Sequence, residues 1–87
     1  MEQRRRIRDL SHAGSRWIVS LHASDAPQGL WRGRAVFFLD GPTPAVQLED
    51  TLAFEALEFD ELVAQASALS VDEMRGRLAR LLVRRAS

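Results

Sequence analysis

Arg16-Trp-Ile-Val-Ser-Leu-His-Ala23 is the stretch on which the fold turns. Trp17, Val19 and Leu21 alternate with Arg16, Ser20 and His22, and the segment is rich in β-branched and aromatic residues, the pattern of a half-buried strand. Asp25-Ala-Pro-Gln-Gly29 then supplies turn chemistry, proline fixing φ and glycine permitting positive φ, before an extended pattern resumes from Leu30 to Leu39. Two strands, at about 16–23 and 30–39, are expected to pair as an antiparallel hairpin with a longish loop.

Downstream, Asp40-Gly-Pro-Thr-Pro44 is a second cluster of breakers. Beyond it Val46, Leu48, Leu52 and Phe54 alternate with Gln47, Glu49, Thr51 and Glu55, which predicts a third strand at about 45–55. Asp50 falls on its apolar side and predicts a bulge or a short turn there. Helix competes for this region, because residues 51–69 contain neither glycine nor proline. At Asp60, the expected N-cap, the period becomes helical: Phe59, Leu62, Val63, Ala66 and Leu69 form one stripe of a helix at about 60–69. Ser70-Val-Asp-Glu73 is a capping box opening a second helix, about 71–85, with Val71, Met74, Leu78, Leu81 and Leu82 on its core side.

These elements predict an α+β fold, a three-stranded antiparallel sheet followed by two helices packed on one face. Residues 15–87 read as a single domain and residues 1–14 as a basic, flexible N-terminal arm. If the helices cover Trp17, Val19 and Leu21, Ile18 faces the other way. On the second strand both alternations are apolar, Trp31, Ala35, Phe37 and Leu39 against Leu30, Val36 and Phe38, so one set points outward unless the arm or sheet curvature covers it. Ile18, Val36 and Phe38 are therefore the candidate contacts for a protein partner or a second copy.

Composition narrows the function classes. A chain of 87 residues with 46% hydrophobic content closes one small core of marginal stability, to which a partner or homo-oligomer could add burial. The absence of cysteine removes disulfides, thiolate metal sites and thiol catalysis, and fits a reducing compartment. The N-terminal arginines are followed by the charged stretch Asp9 to Arg16 where a secretion signal needs an apolar run, and no apolar run is long enough to span a bilayer. A cytoplasmic protein without membrane association is expected.

No catalytic, cofactor or metal site is expected either. His12 and His22 lack ligand-spaced neighbours, and the glycines at 14, 29, 33, 41 and 76 form neither a phosphate loop nor a dinucleotide fingerprint. The acids from Glu49 to Glu73 fall mostly at outward strand positions, caps and first helical turns, where a carboxylate stabilises a helix N-terminus without catalysis. The expectation is a non-enzymatic protein-interaction domain.

Charge is sorted along the chain. Residues 1–36 hold seven arginines against three acids, residues 37–73 nine acids and no base, and residues 74–87 five arginines and no acid. Every base is arginine, which suits bidentate contacts. The segment Glu61 to Leu82, with Ala64 in its first helix, Leu69-Ser70 at the turn and Met74, Leu78 and Leu81 in its second, resembles the helix-turn-helix of winged-helix regulators. Ala68 stands where that family carries its turn glycine, and no strand pair follows as a wing. The resemblance implies DNA contact through Arg75, Arg77, Arg80 and Arg84. Independently of it, Arg4, Arg5 and Arg6 of the arm suit phosphate backbones by counterion release, or pairing with the acidic middle of the chain, and a small DNA-binding or regulatory protein is the alternative expectation.

Overall fold

The computed structural model describes residues 1–26, 28–41 and 46–86; residues 27, 42–45 and 87 and the side chain of Leu52 lie outside it. Parts of both breaker clusters therefore fall outside the described residues, as does the predicted inward side chain at Leu52. The observed order is β1 (Glu2–His12), β2 (Ser15–Asp25), β3 (Trp31–Leu39), β4 (Gln47–Ala56), α1 (Phe59–Ser67) and α2 (Val71–Ala86). The sheet is an antiparallel meander, β1-β2-β3-β4.

The sheet thus has four strands where three were expected, and the additional one replaces the predicted arm. Glu2 to His12 pairs with β2 along its whole length, from Glu2 opposite Ser24 to His12 opposite Ser15. Two residues make the hairpin possible: Ala13 (φ 51°) and Gly14 (φ 80°) are both left-handed, the backbone twist that matches paired strands. Leu10 anchors β1 in the core at 2% exposure. Arg8 donates from Nη2 to the Ser67 carbonyl at 3.1 Å, placing a cation at the C-terminal end of α1.

Both helices pack on one face of the sheet. Val19, Leu21, Phe37, Leu62, Met74 and Leu78 are almost wholly excluded from solvent there. The core has two parts. Met74 and Leu78 of α2 pack with Leu10, Trp17, Val19, Ala35 and Phe37, whereas Phe59, Leu62 and Ala66 of α1 pack with Leu21, Ala23 and Ala56. Ile7 touches both parts. Gly33 lies under the second part, where an added Cβ would approach the Leu21 side chain to 3.0 Å and Ala23 Cβ to 3.1 Å.

The bulge foreshadowed by Asp50 is present. Val36 pairs with Glu49 and Arg34 with Ala53, so residues 50–52 together face Ala35. Asp50, 4% exposed, turns toward the helices and accepts a hydrogen bond from Arg77 of α2 at 2.8 Å. The Arg77 guanidinium also lies 5.8 Å from the Phe54 ring. The capping box forms as expected: Glu73 N–H donates to Ser70 Oγ at 3.1 Å, and Ser70 N–H to Glu73 Oε1 at 3.2 Å. Asp60 is not the cap of α1; Glu58 occupies that position without a side-chain cap bond, and Asp60 sits in the first turn.

Candidate interaction face

The face of the sheet away from the helices is built by the strand registers. Ile18 stands opposite Phe38, Ser20 opposite Val36, His22 opposite Arg34 and Ser24 opposite Arg32. On the outer strands Glu2, Arg4, Arg6 and Asp9 share this face through their pairing with β2, and Gln47, Glu49, Ala53 and Glu55 through their pairing with β3. Among the described residues no element lies over it. The ambiguity left by the two apolar alternations of β3 is resolved: Ala35 and Phe37 face the helices, Val36 and Phe38 face away.

The three expected contact residues are thus brought together, in unequal states. Ile18 and Phe38 are half-buried, while Val36 is only 2% exposed and so supports its neighbours rather than presenting a surface. The Phe38 ring lies 5.8 Å from His22 at an interplanar angle of 39°. Burial, with a smaller contribution from Arg4, holds the His22 pKa below its usual value.

Toward the far end of the same strands the face becomes charged. Arg34 pairs with Glu49 at 3.5 Å and Arg32 with Glu55 at 3.2 Å. Arg4 has no ion-pair partner among the described residues. A cleft of about 370 Å³ opens here, bounded by Glu2, Arg4, His22, Arg32, Arg34 and Glu49, with Ser24 and the backbone of Gly33 between them. At the opposite corner Asp9 accepts hydrogen bonds from both Arg6 and Arg16, which lower its pKa.

Both sheet edges are guarded against strand addition. β1 bulges between Arg6 and Arg8 and carries arginine; β4 bulges at residues 50–52 and carries glutamate. Charge and bulges are the usual protections of an exposed edge.

The arginines proposed for nucleic acid are dispersed. Arg4 and Arg6 belong to the open face, Arg6 tied to Asp9. Arg5 lies on the helix side, 5.6 Å from the Phe59 ring. Arg75 donates to the Ser11 carbonyl at 2.8 Å and pairs with Asp72 at 3.7 Å, and Arg77 is held by Asp50. Arg80 and Arg84 line a second cleft of about 210 Å³ with Asp50, Thr51, Arg77 and Leu81.

Three residues of the cleft, Arg32, Arg34 and His22, were not singled out from sequence as a binding set. The usable signal was their period of two with Val36 and Phe38 across paired strands, legible only once the outward face of β3 is known. Among the described residues no group of three or more His, Cys, Asp or Glu converges as a metal site, and no helix is long and apolar enough to cross a membrane. Compared with known proteins, the chain matches no family model, no curated protein and no solved structure.

Proposed function

We propose that this chain is a non-enzymatic protein-interaction domain whose open sheet face receives a protein partner. The observation that carries this reading is the juxtaposition of half-buried Ile18 and Phe38 across the central strands, on a face without a covering element among the described residues. An apolar centre with a rim of paired arginines and carboxylates fits the anatomy of a protein interface, an apolar core within a polar rim. The carboxylates favour binding over catalysis. Asp9, Glu49 and Glu55 are ion-paired with arginines on the surface, and buried Asp50 is ion-paired with Arg77. None is an unpaired acid in an apolar niche, the setting of a general acid. A reducing, cytoplasmic setting is in keeping with the cysteine-free composition.

The test is capture of partners by wild type, Phe38→Asp and the control Val83→Asp, the last on the exposed side of α2. Circular dichroism verifies the fold of each. A partner retained by Val83→Asp and lost by Phe38→Asp supports the reading; one insensitive to Phe38→Asp and to Ile18→Asp sinks it.

Arg80 and Arg84 beside the second cleft favour the alternative, phosphate-backbone binding by α2. It requires salt-sensitive affinity for duplex DNA that Arg80→Glu with Arg84→Glu removes.

A further inference from the structure

The cleft between the β4 bulge and α2 has a charge surplus that the open face lacks. Arg77, Arg80 and Arg84 line it with Asp50, Thr51 and Leu81, three guanidinium groups against one carboxylate. Four and three residues apart, the arginines fall along a single stripe of α2. The same stretch of helix supplies no acid to offset them, since residues 74–87 contain none. Glu49 and Glu55 of β4 belong to the opposite face of the sheet, where they pair with Arg34 and Arg32. Asp50 is committed to Arg77 at 2.8 Å. Arg80 and Arg84 are exposed and have no ion-pair, hydrogen-bond or ring partner among the described residues.

We propose that this cleft is a site for a doubly charged phosphate group, as free phosphate or as the phosphate of a small monoester. Three arginines less Asp50 leave two positive charges, the complement of a dianion. Arg77 is the fixed member: its side chain is 15% exposed, Asp50 holds its Nη1, and its guanidinium lies 5.8 Å from the Phe54 ring. A guanidinium carries more N–H donors than one carboxylate uses, so Arg77 keeps donors for an anion in the cleft it lines. Arg80 and Arg84 repel each other at their four-residue spacing, and a dianion between them removes that cost while accepting bidentate hydrogen bonds. Thr51, set beside Asp50 by the bulge, adds a hydroxyl. The volume of about 210 Å³ lies below that of pockets for larger ligands and suits a phosphate with a short substituent against Leu81. A nucleic-acid backbone, with one charge on each phosphodiester, is a poorer match. The site is separate from the open face and does not depend on it.

The test titrates inorganic phosphate into the isotopically labelled protein, at a pH where phosphate is doubly charged and with ionic strength held constant by chloride. Saturable binding, millimolar or tighter, is expected, with amide shifts at Thr51, Arg77, Arg80 and Arg84. Arg80→Gln with Arg84→Gln should weaken it at least tenfold, whereas Arg85→Gln, an exposed arginine of α2 outside the cleft, should change it less than twofold. Arg80→Gln alone, at an exposed position, provides the same comparison if the double variant fails to fold. Dimethyl phosphate, a monoanion, should bind at least tenfold more weakly than phosphate. Glycerol 3-phosphate separates the two sources: tighter binding than phosphate assigns the monoester, equal or weaker binding the free ion.

Phe38→Asp should leave every one of these affinities unchanged, so a failure of the open-face reading and a failure of this site are seen separately. Equal losses from Arg85→Gln and from the cleft variants, or equal binding of dimethyl phosphate and phosphate, would reveal a diffuse cationic helix and overturn the proposal. A response to phosphate that never saturates, or shifts that avoid the cleft, would overturn it too.

Discussion

The two faces of one sheet carry nearly the same apolar residues and have opposite fates. On β3, Phe37 is fully buried under α2 while its neighbour Phe38 is half-buried on the far side. On β2, Val19 is sealed beneath the helix layer while Ile18, one residue away, is half-buried on the open face. Hydrophobicity alone therefore does not separate core from surface in this protein. The separation comes from what stands around each residue: Met74 and Leu78 near Phe37, and His22, Arg34 and Glu49 toward the Phe38 side. An apolar pair set among guanidinium and carboxylate groups leaves little contiguous apolar area on that face.

The contrast can be broken hardest on the covered side. Phe37→Ala should cost about 3–5 kcal/mol in urea denaturation, because a fully buried ring leaves a cavity that strands and helix cannot collapse to fill. Asp50→Ala should cost about 3 kcal/mol, since it leaves Arg77, whose side chain is 15% exposed, without its carboxylate. Replacing both partners with apolar residues of similar size should restore much of that loss. Ser70→Ala, which removes one arm of the capping box, should cost about 1 kcal/mol by loosening the start of α2.

On the open side the expected change in stability is smaller. Phe38→Asp should lower stability by roughly 1 kcal/mol, as expected for a half-exposed position, while abolishing association. The weakest probe is pH. His22 faces Glu2 and Arg4 of β1, Arg34 of β3 and Glu49 of β4, and its folded pKa lies below 6.5. The folded state therefore resists protonation more than the unfolded chain does. The stability present above pH 6.5 is lost as the pH falls from 6.5 toward the folded value. His22→Gln should flatten that segment of the stability profile. The Asp9 loss should persist in that variant, because it begins only near the unfolded carboxylate value of 3.8.

Much of this arrangement is written locally. The period-two run from Trp17, the helical stripe from Phe59 and the Ser70–Glu73 box each specify structure within a few residues, and each element forms close to its expected bounds. Asp50 was legible for the same reason, an acid at a position where the pattern demands an apolar residue. β1 was hidden because Arg4, Arg5, Arg6 and Arg8 read as a solvated run, and only Ile7 and Leu10 mark an inward side. As an edge strand with one solvated face, β1 needs little apolar pattern; its pairing depends on the tight turn at Ala13 and Gly14. The cleft was invisible for a tertiary reason. Arg4, His22 and Arg34 lie on three different strands and meet only through register, which no local pattern encodes.

The central claim, that the open face is the binding surface, is tested most directly by titrating the isotopically labelled protein with the captured partner and following backbone amide shifts. The account predicts perturbations at Arg4, Ile18, His22, Arg34 and Phe38, with α1 and α2 unmoved and the response absent in Phe38→Asp. Perturbations concentrated at Arg80 and Arg84, or none on the open strands at saturating partner, would contradict it.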